Sequence, residues 1–177
     1  MDNLLTAEQF YSLTDSDDLW ELIKGKLFMS PAPLTRHQII VGEMHLEIGN
    51  KFRRDSRYHV RLAPYDVNLS EDTIVQPDVC VIDDLSKENR RGYKGSPVLV
   101  VEVISPSSGL RDSRDKLKLY EEFGVEEFWL VNPVDNTVKI FVLESGKYVN
   151  LHTYSVNDTL KSVVFSDLEI NLQDVFN

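Results

Sequence analysis

The chain has 177 residues, of which 42% are hydrophobic and 27% are charged. This composition is typical of a soluble globular protein that is long enough to bury one substantial core. The formal net charge of −10 argues against a protein that binds nucleic acid through its overall electrostatic field. The argument does not apply to a protein whose basic residues are gathered on one face.

The N-terminal third is predicted to contain a short helix, a β-hairpin and a long helix. Residues 6–13 begin with Thr6 and Gln9 at the spacing of a capping box. Residues 18–30 form two short strand-like pieces around a Lys-Gly-Lys turn, which indicates a hairpin. Residues 35–54 have the longest helical pattern. Its apolar stripe consists of His37, Val41, Met44, Ile48 and Phe52.

The middle of the chain is predicted to consist mainly of strands. Residues 58–70 and 73–83 have strand patterns and are separated by a polar turn. Residues 84–96 form a polar, glycine-containing segment. The apolar, β-branched run at 98–104 is typical of a strand that is buried on both faces.

The C-terminal part is predicted to contain a second helix at about residues 112–123 and a strand at 126–133. A hairpin follows at 137–155, with its turn at residues 144–147, and then a short tail strand at about 161–165. We see no linker composition, so we expect one domain spanning residues 1–177. The order of the elements predicts a mixed sheet flanked by helices.

Glu102 is the first candidate site residue, because it interrupts the apolar run at 98–104. Burying an unpaired carboxylate costs several kcal/mol, so Glu102 needs a side chain, a proton or a metal as its partner. If the neighbouring predicted strand pairs with this one, Asp78 and Glu102 converge at one end of the sheet. Mg²⁺ is a hard cation that suits such a pair of carboxylates. The alternative is that Asp78 caps a turn and Glu102 pairs only with a lysine.

Lys116 is the second candidate, because it lies on the wrong side of its helix for a solvated lysine. At about 100° per residue it falls in the middle of the apolar stripe of the second helix, whereas Lys118 points to solvent. Such a lysine can extend to the surface along its aliphatic stem. Because Lys116 follows the Glu102 strand after one short loop, a site shared with Glu102 is the better explanation.

Two further polar residues occupy positions where apolar residues are expected. His37 lies on the apolar stripe of the long helix, and a satisfied core histidine is the alternative. Glu21 lies between Trp20 and Leu22 in the first hairpin, and an exposed strand acid is the alternative.

Several segments taken together resemble the Uma-type putative restriction endonuclease family, a branch of the PD-(D/E)XK nuclease superfamily. They are "WELIKGKLFMSPAP", His37, "QPDVCVID", "VEVISPSS" and "RDKLKLYEEFGVEEFWLVNP". The resemblance runs from about Leu4 to Pro133 and continues more weakly to the C-terminus. It implies an α/β fold, a restriction-endonuclease-like mixed β-sheet flanked by helices, with an N-terminal helix-hairpin and a C-terminal β-hairpin as additions.

The resemblance also implies roles for individual residues. Asp78 matches the aspartate of the "PD" element, and Glu102 matches the acid of the (D/E)XK element. The lysine of that element should stand at position 104, where this chain has Ile104. The resemblance implies that its role has moved to Lys116. Two more residues match family positions as additional site residues, namely Glu21 and His37.

The activity that the resemblance implies is metal-dependent endonucleolytic hydrolysis of phosphodiester bonds in DNA. Asp78 and Glu102 would hold Mg²⁺ or Mn²⁺, and Lys116 would assist the attacking water. Two alternatives stay open. The acidic composition and Ile104 favour an inactive binding or assembly module with the nuclease fold. Basic residues confined to the site would favour a metal-dependent hydrolase of a small phosphorylated substrate.

The expected partner is nucleic acid, specifically DNA, which must bind despite the negative net charge. Basic residues that could contact it fall into three groups, each with a solvated face as the alternative. They are Lys51, Arg53, Arg54, Arg57 and Arg61; Arg111, Arg114, Lys116 and Lys118; and Arg90, Arg91 and Lys94 in a basic loop. Nucleases of this size commonly act as two-fold dimers, so we expect a homodimer.

A cytoplasmic location without a membrane partner is expected from three features. No apolar run is long enough to span a bilayer. The first ten residues carry an acid where an export signal would carry a base. The single cysteine, Cys80, excludes an internal disulfide and fits a reducing compartment.

Overall fold

The computed structural model describes residues 4–14, 19–29, 32–105 and 109–177, and the side chains of all of these except residues 109–112. The helices in this part of the chain are α1 (Ala7–Leu13), α2 (Thr35–Phe52), α3 (Gly109–Glu122) and α4 (Leu172–Phe176). None of them is long and apolar enough to cross a membrane. The strands are β1 (Trp20–Ile23), β2 (Lys26–Met29), β3 (His59–Leu62), β4 (Asp66–Ser70), β5 (Thr73–Val75), β6 (Val79–Ile82), β7 (Glu88–Asn89), β8 (Gly92–Lys94), β9 (Leu99–Val103), β10 (Glu127–Asn132), β11 (Thr137–Glu144), β12 (Lys147–Ser155), β13 (Thr159–Lys161) and β14 (Glu169–Asn171).

Twelve of these strands form two six-stranded sheets. Sheet I has the order β2-β1-β5-β4-β8-β7, and sheet II has the order β12-β11-β10-β9-β6-β3. Each sheet contains one parallel pair, β4 with β8 and β9 with β10, so both are mixed. The mixed architecture expected from the sequence is therefore confirmed, but the strands are divided between two sheets instead of lying in one.

The strands predicted at 58–70 and 73–83 are wrong as single strands, because each consists of two. The first is divided near Pro64 into β3 in sheet II and β4 in sheet I, and the second is divided near Pro77 into β5 in sheet I and β6 in sheet II. Proline has no backbone N–H with which to continue a ladder, so the strand ends there. These two crossings from sheet to sheet leave Asp78 immediately before β6.

Smaller differences occur in the polar segment and at the C-terminus. The segment at 84–96 contains β7 and β8, and β8 begins at Gly92 with φ +140°. A Cβ at Gly92 would lie 2.0 Å from the Asp66 carbonyl oxygen, so only glycine allows this approach between β8 and β4. The tail strand predicted at about 161–165 is wrong in its bounds, because β13 ends at Lys161, and β13 pairs with the unpredicted β14.

The core lies on both faces of sheet II. One cluster packs α2, through Ile40 and Met44, against the face of β9 that carries Val101. The other cluster contains Val100 from the opposite face of β9 and Tyr120 from α3. Every residue of β9 is buried, which confirms the predicted strand with two buried faces.

The N-terminus of α1 has the predicted capping box. The Thr6 hydroxyl accepts from the Gln9 N–H at 3.3 Å, and the Gln9 side chain accepts from the Thr6 N–H at 2.9 Å. We expect Thr6→Ala to lower the free energy of unfolding by about 1 kcal/mol, because a first-turn N–H loses its acceptor. Urea denaturation measures this loss, and Thr6→Ser, which keeps the hydroxyl, is the control. Equal losses in both variants would contradict the capping role.

Candidate active site

Asp78 and Glu102 are carried by neighbouring strands. β6 pairs antiparallel with β9, and Val79 lies opposite Val101 in this register. Since Asp78 precedes Val79 and Glu102 follows Val101, the two acids face each other at the next position of the ladder. The strand adjacency on which the predicted convergence depended is therefore confirmed.

The partners of the buried Glu102 carboxylate come from α3. Glu102 is 8% exposed. It accepts hydrogen bonds from Lys116 Nζ at 3.0 Å on Oε1 and 3.2 Å on Oε2, and from the Tyr120 hydroxyl at 2.6 Å. Lys116 and Tyr120 are one helical turn apart, so a single face of α3 supplies both donors. The inward orientation that the helical spacing predicted for Lys116 is confirmed.

Lys116 also contacts a second carboxylate, Glu21, from the other sheet. Lys116 Nζ lies 3.2 Å from Glu21 Oε1, and the backbone N–H of Gln76 donates to the same oxygen at 2.9 Å. Glu21 is 4% exposed, so the alternative of an exposed strand acid is wrong. The Gln76 side chain is held by Asp66, to which Nε2 donates at 2.8 Å. Sequence reasoning missed Gln76, although its place beside the "PD" element was a signal.

His37 approaches Asp78 from the first turns of α2. Its Nε2 lies 3.4 Å from Asp78 Oδ2, which also accepts the Val103 N–H at 2.7 Å. His37 is 8% exposed, and its Nδ1 has no hydrogen-bond partner within the described residues. A satisfied core histidine would have both ring nitrogens paired, so that alternative does not describe His37.

Burial and mutual repulsion shift the pKa values of the ionisable groups in the site. Burial raises the pKa of Glu102 to about 8; Lys116 opposes this shift, and Asp78 and Glu21 add to it. For Lys116, burial alone would lower the pKa, but Glu102, Glu21 and Asp78 outweigh burial and raise it above its ordinary value. One ammonium group therefore stands among three carboxyl groups.

His37 responds to the same charges. Burial would lower the pKa of His37, but its hydrogen bond to Asp78 and the negative charge of Asp78 together raise it above the ordinary value. The cationic form of His37 is thus favoured by the same acids that surround Lys116.

A single cavity of about 640 Å³ brings the five predicted site residues together. They are Glu21, His37, Asp78, Glu102 and Lys116. The cavity wall also includes apolar side chains, among them Phe28, Pro64 and Leu119. The arrangement combines oxygen ligands, one buried ammonium group and room for a small polar molecule.

The donor set fits a magnesium ion that is only partly coordinated by protein. Within the described part of the chain, no three His, Cys, Asp or Glu side chains form a metal-binding group. Mg²⁺ is commonly held by one or two carboxylates, with water and phosphate oxygens completing its shell. Asp78 and Glu102 supply such a pair, and a cation would offset the burial of Glu102 and its repulsion by Asp78 and Glu21, which raise its pKa.

Several of the basic residues expected to contact DNA are paired with acids. Arg61 donates to both oxygens of Glu88 at 2.8 and 3.0 Å, and Arg57 does the same to Asp55 at 3.0 and 2.8 Å. Lys51 pairs with Asp167. The first predicted basic group therefore presents much less net positive charge than its sequence suggests.

The other two basic groups are more exposed. Arg91 lies over the Tyr11 ring, 4.3 Å from its centroid, while Arg90 and Lys94 are exposed. In the remaining group, Arg114 and Lys118 are exposed, Lys116 is in the site, and the side chain of Arg111 lies outside the described residues. Lys118 lines the cavity.

The comparisons with known proteins agree with this architecture. The sequence matches a family model, Uma2, described as putative restriction endonuclease, over residues 7–173. Among solved structures the chain is similar to a putative nuclease belonging to DUF820 from Anabaena variabilis ATCC 29413, with 19% identity, a TM-score of 0.78 and 97% of each chain covered. At that identity the likeness shows a shared fold. No curated protein matches the chain.

Proposed function

The chain belongs to the Uma2 family of putative restriction endonucleases, and from that premise we propose that it is a metal-dependent endonuclease acting on phosphodiester bonds of DNA. The observation that carries the proposal is the buried contact of Lys116 with Glu102 and Glu21, beside Asp78. A structural ion pair needs one acid, whereas this site gathers three around one lysine. Such a costly cluster of carboxyl groups around one ammonium group is typical of a site that receives a cation and a substrate.

Each side chain has a distinct role in the proposed reaction. Asp78 and Glu102 would hold Mg²⁺ or Mn²⁺, which when bound supplies Lewis-acid polarisation of the phosphodiester and lowers the pKa of water. Lys116 would donate hydrogen bonds to the attacking water and to the oxygens on which negative charge develops. Glu21 holds Lys116 in place, and the Gln76 N–H in turn holds Glu21.

His37 would act as a positioning residue. It lies 3.4 Å from the oxygen of Asp78 that also accepts the Val103 N–H, so it would fix that oxygen and leave the other available to a metal. The proposal also includes a cytoplasmic homodimer with two-fold symmetry.

A metal titration and a DNA cleavage assay on the same protein samples test this proposal. We expect Mg²⁺ or Mn²⁺ to bind the wild-type protein by calorimetry and to support cleavage of DNA that a chelator stops. Removing one carboxylate ligand in Asp78→Asn should weaken metal binding at least about tenfold, that is by about 1.4 kcal/mol. The matched control is Asp115→Asn, because Asp115 is an exposed carboxylate on the same cavity.

Two outcomes would contradict the proposal. Metal binding that Asp78→Asn leaves unchanged would exclude Asp78 as a ligand. Absence of cleavage of plasmid, duplex and single-stranded DNA under conditions in which metal binds would exclude the nuclease activity itself.

A hydrolase of a small phosphorylated substrate is a second candidate, and one observation favours it. Within the described residues, Lys24, Lys116 and Lys118 line the cavity, whereas Lys51, Arg57 and Arg61, which lie outside it, are paired with acids. The same protein samples should therefore be assayed with mononucleotides and sugar phosphates. Phosphate release from these compounds, without DNA cleavage, would favour the second candidate.

A further inference from the structure

An aromatic side chain stands exposed at the wall of the cavity. Phe28 lies on β2, at the edge of sheet I, where all four residues of the strand are exposed. It is 47% exposed and lines the cavity. Burial of a phenylalanine side chain stabilises a folded protein, so a ring left half in solvent forgoes part of that gain.

The register of the β1–β2 pair places the Phe28 ring beside the charged residues of the site. Phe28 lies opposite Glu21 in the β1–β2 pair, so the two side chains share one face of the sheet, about 4.5–5.5 Å apart at their Cβ atoms. Glu21 Oε1 lies 3.2 Å from Lys116 Nζ, which lies 3.0 Å from Glu102 Oε1. A nucleotide whose phosphate reaches Glu102 would therefore bring its base near Phe28.

The size of the cavity argues for an unpaired strand. Its volume of about 640 Å³ is in the range of about 300–1,000 Å³ that holds a small molecule, such as one or two nucleotides. A base that is paired in a duplex is stacked inside the helix, so it reaches such a cavity only after it has left the stack. The base that enters must be free of its complementary strand.

The charge at the cavity fits the same ligand. Lys118 is exposed on the wall, and Lys24, also on the wall, pairs with the exposed Glu122 at 2.7 Å. Cations along a backbone path combined with an aromatic ring on which a base stacks are the two elements of single-strand binding sites. This site has both within one cavity.

We propose that Phe28 is a stacking platform for an unpaired base, so that the substrate of this site is single-stranded DNA and not intact duplex. This inference rests on the proposed nuclease function. Phe28 is the specificity-determining residue in it, and the chemistry is left to the acids and Lys116.

The test compares one sequence as a single strand and as a blunt duplex. We expect the wild type to cleave the single strand at least about tenfold more efficiently. Phe28→Ala should raise KM for the single strand about tenfold with little change in kcat, because stacking contributes to binding. Phe28→Tyr should keep the wild-type KM, since it keeps the ring. Leu27→Ala is the matched control, because Leu27 is an exposed neighbour on the opposite face of β2.

A binding measurement separates the failure of this inference from the failure of the proposed function. Fluorescence anisotropy with a labelled single strand and Ca²⁺ gives Kd without cleavage. A tenfold loss of affinity in Phe28→Ala, without cleavage by any variant, would support the platform and overturn the nuclease function. Cleavage of duplex as efficient as that of single strand, or equal KM values for Phe28→Ala and Leu27→Ala, would overturn the platform.

Discussion

Replacing Lys116 by methionine is expected to lower the rate of metal-dependent cleavage about 100- to 1,000-fold, the usual effect of losing one donor to developing charge. Methionine keeps the length and the apolar stem of lysine, so the packing of α3 against sheet II changes little. Lys116 Nζ donates to both oxygens of Glu102 and to Glu21, and methionine replaces none of these hydrogen bonds. Single-turnover cleavage assays measure the change.

Two further variants test whether this loss concerns the site or only the fold. Lys118→Met changes an exposed lysine two positions away and should keep the wild-type rate. Ile104 directly follows β9 and stands at the position where the family resemblance would place a lysine. The double variant Ile104→Lys/Lys116→Met should cleave at least about tenfold faster than Lys116→Met alone. A large loss in Lys118→Met, or no recovery in the double variant, would contradict the role of Lys116.

Replacing Glu127 by alanine is expected to lower the free energy of unfolding by about 3–4 kcal/mol, because it leaves several buried donors without an acceptor. Glu127 is fully buried on β10. Its Oε1 accepts from Trp129 Nε1 at 2.6 Å. Its Oε2 accepts from the Ser162 hydroxyl at 2.8 Å and from the N–H groups of Val163 and Val164 at 3.0 and 2.8 Å.

Thermal and urea unfolding measure this effect. For a chain of this length, we expect a decrease in Tm of about 10 °C, at about 2–4 °C per kcal/mol. Glu126→Ala removes the exposed neighbouring acid and is the control, with an expected change of less than about 0.5 kcal/mol. Equal decreases in Tm for both variants would show that the buried carboxylate does not hold residues 162–164 against sheet II.

The features that the sequence predicted correctly depend on local spacing. The stripe from His37 to Phe52 is buried, Lys116 points inward, and the run around Glu102 is a strand with two buried faces. In each case the regular period of the helix or strand fixes the direction of every side chain, so the face on which a residue lies follows from counting positions. The same counting placed Asp78 and Glu102 at one end of the sheet on the condition that their strands were neighbours, which the β6–β9 pair fulfils.

The features that could not be predicted from the sequence depend on contacts between distant segments of the chain. Pro64 and Pro77 marked where strands end, but the sheet that the next strand joins is decided by pairings elsewhere in the chain. The burial of Glu21 depends on the Gln76 N–H, 55 positions away. The neutralisation of Arg61 depends on Glu88, 27 positions away. No local pattern encodes these partners.

The position of the Lys116 ammonium group has a consequence for anyone who redesigns this protein. It joins an acid of sheet I, Glu21, to an acid of sheet II, Glu102, from a helix that belongs to neither sheet. The effects of changing these three residues are not independent, because Lys116 is the hydrogen-bond partner of both acids. A substitution of Lys116 alone removes a donor from both acids at once, so a library aimed at a new specificity should vary the three positions together.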